Sequence, residues 1–109
     1  MINLAEISGL GAYTKKSESI KDAKSSAKKS RTIFYPKDSE KAFLVENAQT
    51  IELRCDQKLA KLLLEKYESV MASRYFGKNG IEIVLSGQLT ENEIQDLIRL
   101  SYNLTTSIK

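Results

Sequence analysis

The hydrophobic pattern between Thr32 and Arg54 predicts a small antiparallel sheet. Three runs of mixed apolar and polar residues, TIFY, KAFLVE and TIELR, are separated by the turn-rich segments PKDSE and NAQ. Short strands joined by tight turns form an antiparallel meander. The alternation gives the sheet one apolar face, consisting of Phe43, Val45, Ile51 and Leu53. It predicts that the charged side chains face water or the sheet edge, namely those of Glu46, Glu52 and Arg54.

Helical spacing of apolar residues follows directly after the third run. Asp56 is suited to accept hydrogen bonds from the first amides of a helix over residues 57–67. Four apolar residues lie on one side of this helix and are predicted to pack on the sheet: Leu59, Leu62, Leu63 and Tyr67.

The last helix has a well-marked beginning. Thr90 and Glu93 have the spacing of a capping box, in which each side chain bonds to the backbone amide of the other, so the helix is predicted to begin at Glu91. Its apolar stripe comprises Ile94, Leu97, Ile98, Leu104 and Ile108. Ser101 lies near the centre of that stripe, so its hydroxyl is predicted to be buried and bonded to a carbonyl or another nearby group.

Two further segments complete the predicted elements. A β-hairpin is predicted from strands at residues 70–76 and 81–85, joined by the connection Gly-Lys-Asn-Gly at residues 77–80, because Asn-Gly favours a tight turn. A lysine-rich helix is predicted at residues 17–30, where Ile20, Ala23 and Ala27 form a short apolar stripe. Residues 1–16 are interpreted either as a helical turn ended by glycine or as a loosely docked arm.

Positive charge is concentrated near the beginning of the chain. Between Lys15 and Arg31 seven basic residues face only two acidic ones, while the whole chain carries a formal charge of +3. Two interpretations remain open. The lysines form a solvated helix face, or they meet phosphate or an acidic partner.

Composition narrows the class of protein. The 109 residues are enough for one domain with a single core, and no apolar run approaches the length of a membrane span. The N-terminal residues lack the pattern of a signal peptide, so a cytoplasmic location is expected. The chain has no histidine, which removes imidazole catalysis and most zinc and iron sites, and no spacing of acidic residues indicates a metal; no cofactor is expected. Cys55 is interpreted as structural rather than nucleophilic, since it has no histidine to act as a base.

Several short motifs in residues 32–105 resemble the MmcQ/YjbR-like family of small bacterial proteins. They are the strand-to-helix junction Leu53-Arg54-Cys55-Asp56, the Leu85-Ser86-Gly87 step before the last helix, and the ending Ser101-Tyr102-Asn103-Leu104. The resemblance implies an α+β fold similar to CyaY, with helices packed on one face of an antiparallel sheet. It also implies a DNA-binding role, and none of these motifs is a catalytic signature. The family's His-Met-Asn-Lys-x-His-Trp run is replaced here by residues 74–80, which keep only basic and aromatic character.

The sequence therefore leaves two functions to compare. A nucleic-acid-binding protein would contact phosphates and bases through the hairpin and the lysine-rich segment. Its candidate contact residues are Arg74, Tyr75, Lys78, Asn79, Lys21, Lys24, Lys28 and Lys29. The alternative is a protein-interaction or small regulatory domain that uses the same hairpin or an exposed strand edge. No membrane partner is expected, and the sequence does not indicate an oligomeric state.

Overall fold

The computed structural model of the chain describes residues 4, 7, 9–21 and 28–107. They form one six-stranded antiparallel sheet in the order β1-β2-β3-β4-β6-β5, with two helices packed on one face, which confirms the predicted α+β class. In chain order the elements are β1 (Tyr13–Lys21), β2 (Lys28–Pro36), β3 (Leu44–Glu46), β4 (Thr50–Arg54), α1 (Gln57–Lys66), β5 (Val70–Ser73), β6 (Gly77–Val84) and α2 (Glu91–Ser107). Neither helix has the length and apolarity needed to cross a bilayer.

The main core lies between the sheet and the two helices. The sheet contributes apolar side chains from β2 to β6, and the helices add Ala60, Ile94 and Ile98. Leu4 and Ile7 are also buried there, so these two N-terminal residues are anchored on the core. A smaller apolar cluster of Ile33, Ala42 and Val45 lies apart from the main core, with Tyr35 and Phe76 packed against it.

Both predicted helix starts are confirmed. The Asp56 carboxylate accepts a hydrogen bond from the Lys58 amide at 3.1 Å. The Thr90 amide donates to the Glu93 carboxylate at 3.0 Å, and the Glu93 amide donates to the Thr90 hydroxyl at 3.2 Å. The predicted burial of Leu62 is wrong, since 63% of this residue is exposed. The side of α1 that carries Ala60 is turned to the sheet, so Ala60 is buried instead.

The predicted helix over residues 17–30 is wrong. Its described residues belong to β1 and β2, which pair in antiparallel register from Tyr13 opposite Pro36 to Lys21 opposite Lys28. The sequence there contains four serines and few apolar residues, so helix propensity is weak and a strand ladder satisfies the backbone groups instead. Ala23, Lys24 and Ala27 lie outside the described residues.

The predicted meander is confirmed, but one of its faces was assigned wrongly. β2, β3 and β4 are consecutive antiparallel neighbours. Leu44, rather than Val45, lies opposite Leu53, since strict alternation is interrupted before β3, where the consecutive residues Phe43 and Leu44 both belong to the main core. Val45 instead lies opposite Glu52, and both side chains are buried on the helix-free face of the sheet.

Ser101 joins α2 to the strands as the sequence predicts. Its hydroxyl is fully buried and donates to the Phe43 carbonyl at 2.6 Å. The Thr105 hydroxyl, also buried, donates to the Ser101 carbonyl one turn back at 2.8 Å. A polar pair inside the apolar stripe therefore fixes where α2 lies along the sheet.

Replacing Ser101 by alanine is expected to lower the free energy of unfolding by about 1–3 kcal/mol, because the buried Phe43 carbonyl then loses its shorter hydrogen bond and keeps only the one from the Arg54 amide at 3.3 Å. Urea denaturation followed by circular dichroism measures this change. Thr106→Ala is the matched control, since that exposed hydroxyl bonds only within its own helix. Equal stability of the two variants would contradict the role of Ser101.

Candidate nucleic-acid interface

The lysine-rich residues form a two-stranded ribbon rather than a helix. β3 pairs with β2 only from Thr32 to Phe34, so the remainder of β2 towards Lys28 has β1 as its sole partner among the described residues. Together β1 and β2 carry six basic residues and one acidic residue, a formal charge of +5. The rest of the chain carries a formal charge of −2. Positive charge is therefore collected on an edge of the sheet.

The charged residues of this ribbon differ in how they are engaged. Arg31 forms an ion pair with Glu18, which lies opposite it on β1. Lys15 and Lys16 are exposed and form no ion pair among the described residues. The backbones of the candidate residues Lys21, Lys28 and Lys29 belong to the paired strands, whereas Lys24 lies outside the described residues.

The second hairpin turns earlier than the sequence indicates. β5 ends at Ser73 and β6 begins at Gly77, so residues 74–76 form the turn and the predicted turn at residues 77–80 is wrong. Gly77 supplies the left-handed conformation with φ +62, which a glycine adopts without steric cost. Asn79 and Gly80 continue the strand, where Gly80 lies opposite Arg54.

Gly80 is needed because other atoms pass close to it. A Cβ atom on Gly80 would lie 2.4 Å from the Phe76 Cβ atom and 2.7 Å from the Leu53 carbonyl oxygen. The Asn-Gly pair thus reflects close packing within the sheet rather than a tight turn. The turn instead comprises residues 74–76, which fold back over the sheet.

A buried carboxylate holds this turn in place. Glu52 on β4 is 2% exposed, and its Oε1 atom accepts hydrogen bonds from the Ser73 hydroxyl (2.9 Å), the Arg74 amide (2.8 Å) and the Tyr75 amide (2.9 Å). The Asn47 side chain donates to Oε2 at 3.0 Å. The sequence prediction that Glu52 faces water is therefore wrong, because the turn supplies donors that replace water.

The electrostatics of Glu52 follow from these contacts. Burial by itself raises the pKa of the Glu52 carboxyl, since it disfavours the charged form. The hydrogen bonds from Tyr75, Asn47, Ser73 and Arg74 favour the charged form, and the net result is a pKa below the ordinary value of 4.5. Glu52 is thus a charged group whose oxygens are occupied by the protein itself.

The Arg74 side chain is bound to a second glutamate of the same face. Its Nε and Nη2 atoms donate to the two oxygens of Glu82 at 3.1 and 3.0 Å, and the Thr50 hydroxyl donates to Glu82 at 2.7 Å. The Glu82 carboxylate is the leading cause that raises the pKa of Arg74. Although 72% of the Arg74 side chain is exposed, its charge is matched by Glu82.

Tyr75 packs against neighbouring side chains of the turn and β2, although 38% of the residue remains exposed. Its ring packs edge-on against Phe76, with the centroids 4.9 Å apart, and the Arg31 guanidinium lies 5.2 Å from its centroid. Burial raises the pKa of the Tyr75 hydroxyl, and a hydrogen bond with Tyr35 adds to this effect. The ring thus links the turn to β2.

The candidate residues consequently occupy separate surfaces. Arg74 and Tyr75 belong to the network around Glu52, whereas Lys78 lines a groove beside α1. The Asn79 carbonyl accepts from the Cys55 amide at 2.8 Å, which ties β6 to the end of β4. The structure therefore pairs the strands that carry Lys21, Lys28 and Lys29 and places Tyr75 beside Arg31 of β2, whereas Lys78 lies apart from both at the groove.

Cys55 is buried at the junction between β4 and α1. Burial, assisted by the negative charge of Asp56, raises the pKa of the thiol to about 11. A thiol with this pKa is protonated at neutral pH, so it lacks the thiolate that nucleophilic attack requires.

Replacing Glu52 by glutamine is expected to cost about 1.5–3 kcal/mol of unfolding free energy at neutral pH, because the hydrogen bonds to the turn are no longer charge-assisted and the new amide group meets the Asn47 side-chain donor. The pKa of Glu52 is lower in the folded chain, so its stabilisation is present above the ordinary value of 4.5 and is lost as the pH falls through the folded value. The acid-side loss of stability is therefore expected to be smaller in the variant.

Urea denaturation over a series of pH values measures both effects. Glu65→Gln is the control, because that exposed carboxylate forms no hydrogen bond with a described residue. A pH dependence that is unchanged in Glu52→Gln would contradict the assignment of Glu52 as the group that holds the turn.

Comparison with known proteins bears on the fold alone. No family model matches the chain, and no curated protein matches its sequence. Among solved structures, the chain is similar to a crystal structure of a protein from Pseudomonas syringae determined as a structural genomics target, with a TM-score of 0.61 and 22% sequence identity. The match covers 69% of this chain and 76% of the other. The sheet and helices described above thus have a counterpart in a solved bacterial protein.

Proposed function

We propose that this chain is a non-enzymatic protein of the MmcQ/YjbR-like type that binds nucleic acid, with the β1–β2 ribbon as its contact surface. The observation that carries the proposal is the separation of charge, +5 on the two ribbon strands against −2 on the rest of the chain. A polyanion is attracted to such a surface, because neutralising phosphates releases their condensed counterions. DNA is the first candidate, and a cytoplasmic location suits a chain with one reduced cysteine.

The shape of the ribbon supports the same function. Two antiparallel strands without a third neighbour are about as wide as the DNA major groove, which is about 12 Å across and admits a two-stranded β-ribbon. β1 and β2 are nine residues each, and towards Lys28 they pair only with each other among the described residues. The two-stranded part of the ribbon thus combines a suitable width with a sequence that contains Lys21, Lys28 and Lys29.

The residue types favour phosphate contact over base reading. All the basic residues of the ribbon except Arg31 are lysines, which act as point charges, and Arg31 is paired with Glu18. Arg74, which has the planar group suited to guanine, is bound to Glu82. Binding is therefore expected to depend strongly on salt and weakly on sequence.

The family assignment rests on the motifs in residues 32–105 and agrees with the α+β arrangement of sheet and helices. The proposal of a non-enzymatic role is supported by the absence of histidine from the chain and by the protonated, buried thiol of Cys55. The alternative function, a protein-interaction domain, would use a different surface, the groove beside α1.

Fluorescence anisotropy with a labelled mixed-sequence duplex tests the proposal. Lys21→Ala combined with Lys28→Ala is expected to weaken binding at low salt by roughly tenfold, and to reduce the slope of log affinity against log salt by up to about 2, one for each lost phosphate contact. Lys21 and Lys28 lie opposite each other on the two-stranded part of the ribbon, beyond the residues of β2 that pair with β3, so the fold is expected to be retained.

Lys37→Ala combined with Lys41→Ala is the matched control, since these exposed lysines lie outside the two-stranded ribbon and the groove and the variant removes the same charge. The control variant is expected to bind nearly as well as the natural chain. An equal loss in both variants would show attraction by net charge alone, and absence of binding at low micromolar protein and low salt would refute the function.

A further inference from the structure

A groove lies between α1 and the hairpin of β5 and β6. It encloses about 540 Å³, within the range of ligand-binding clefts in proteins. One side of α1 forms a wall of the groove. Its lining residues are Gln57 and the residues three, four and seven positions after it, which share one helix face: Ala60, Lys61 and Leu64. Ala72 on β5 and Gly80 on β6 line the opposite part.

The floor of the groove is apolar and accessible. Leu64 is 39% exposed although its neighbour on the helix wall, Ala60, is buried in the core. Ala72 is also exposed, and the glycines at positions 77 and 80 add no side chain that would fill the space. An apolar side chain from another molecule would therefore find contacts here that α1 and β5 leave unused.

The rim of the groove is positively charged. Lys58 and Lys61 on α1 and Lys78 on β6 line it, and no acidic residue does so in the part of the chain that the structure describes. None of these three lysines forms an ion pair with a described residue. Three unmatched cations around an apolar floor are complementary to a ligand with carboxylates beside an apolar group.

The neighbouring strand provides a place for an extended ligand. β5 is the last strand of the sheet, and among the described residues it pairs only with β6. An edge strand of this kind has backbone groups that can pair with an added strand. β5 also contributes Ala72 to the groove, so an added strand at this edge would run beside the groove floor.

We propose that this groove binds an extended acidic segment of a partner protein. An apolar side chain of the segment occupies the floor at Leu64 and Ala72, and its carboxylates meet Lys58, Lys61 and Lys78. Phosphate groups would match the lysines equally well, but a nucleic acid backbone offers no apolar side chain for the floor. The combination of floor and rim therefore favours a peptide.

This site is independent of the ribbon. β1 and β5 are the two edges of the sheet, so the surfaces lie at opposite edges. They also lie towards opposite strand ends, because the ribbon extends beyond the pairing of Thr32 with Glu46, whereas the groove lies near the pairing of Arg54 with Gly80. Binding at one surface leaves the other accessible.

Amide chemical shifts of the ¹⁵N-labelled full chain, titrated with the capped peptide Glu-Glu-Leu-Leu-Glu-Glu, test the proposal. The expected shifts concentrate on residues 57–64, 72 and 77–80. A peptide of six glutamates is expected to bind more weakly because it lacks the apolar group, and the corresponding lysine–leucine peptide is expected not to bind. Lys58→Glu combined with Lys61→Glu is expected to raise the Kd of the first peptide at least about tenfold.

Lys37→Glu combined with Lys41→Glu is the matched control, because these exposed lysines lie away from the groove and carry the same charge change. The control is expected to leave the Kd within about twofold. The proposal is overturned if the peptide shifts no groove residue, if it shifts the ribbon instead, or if the control weakens binding equally. Groove shifts caused by duplex DNA without peptide would overturn the choice of partner, while leaving the ribbon proposal to its own test.

Discussion

The architecture of the helix-free face depends on one carboxylate. Glu52 is buried in the middle of the sheet, and three groups of residues 73–75 donate to a single oxygen of its side chain. Without those donors a charged carboxylate at this depth would be unfavourable, and without the carboxylate two backbone amides would lose their acceptor. β4 and the turn at residues 74–76 therefore stabilise each other. The same constraint positions two aromatic rings, because the turn brings the Tyr75 ring next to Arg31 and the Phe76 ring next to Arg54.

Because of this constraint, the residues that hold the turn in place differ from those proposed to contact a partner. Two hairpin residues that look suitable for binding in the sequence, Arg74 and Tyr75, are already engaged: the Arg74 guanidinium pairs with Glu82, and the backbone amides of both residues donate to Glu52. Among the described residues, lysines that form no ion pair lie on the β1–β2 ribbon, at Lys15 and Lys16, and around the groove beside α1, at Lys58, Lys61 and Lys78. The proposed nucleic-acid contact and the proposed peptide contact each use one of these surfaces.

Local signals predicted the parts of the fold that local chemistry determines. The caps at Asp56 and Thr90, the buried hydroxyl of Ser101 and the meander follow from side chains close in sequence or from simple alternation. The errors arise where distant residues decide. Pairing between β1 and β2 overrode a weak helical stripe, and donors some twenty residues away turned Glu52 from a predicted surface residue into a buried one. For the candidate site, the sequence located the lysines but not the strand pair that carries them. No pattern within β4 indicates that Glu52 would be bound by the turn.

The most direct test of this account is a map of amide shifts on the full chain when a mixed-sequence DNA duplex is added at low salt. We expect the shifts to concentrate on β1 and β2, the ribbon strands, and to disappear as salt is raised. Residues 74–76 are expected to change little, because the network around Glu52 already engages them. Shifts centred on residues 74–80 with an unaffected ribbon would contradict the account.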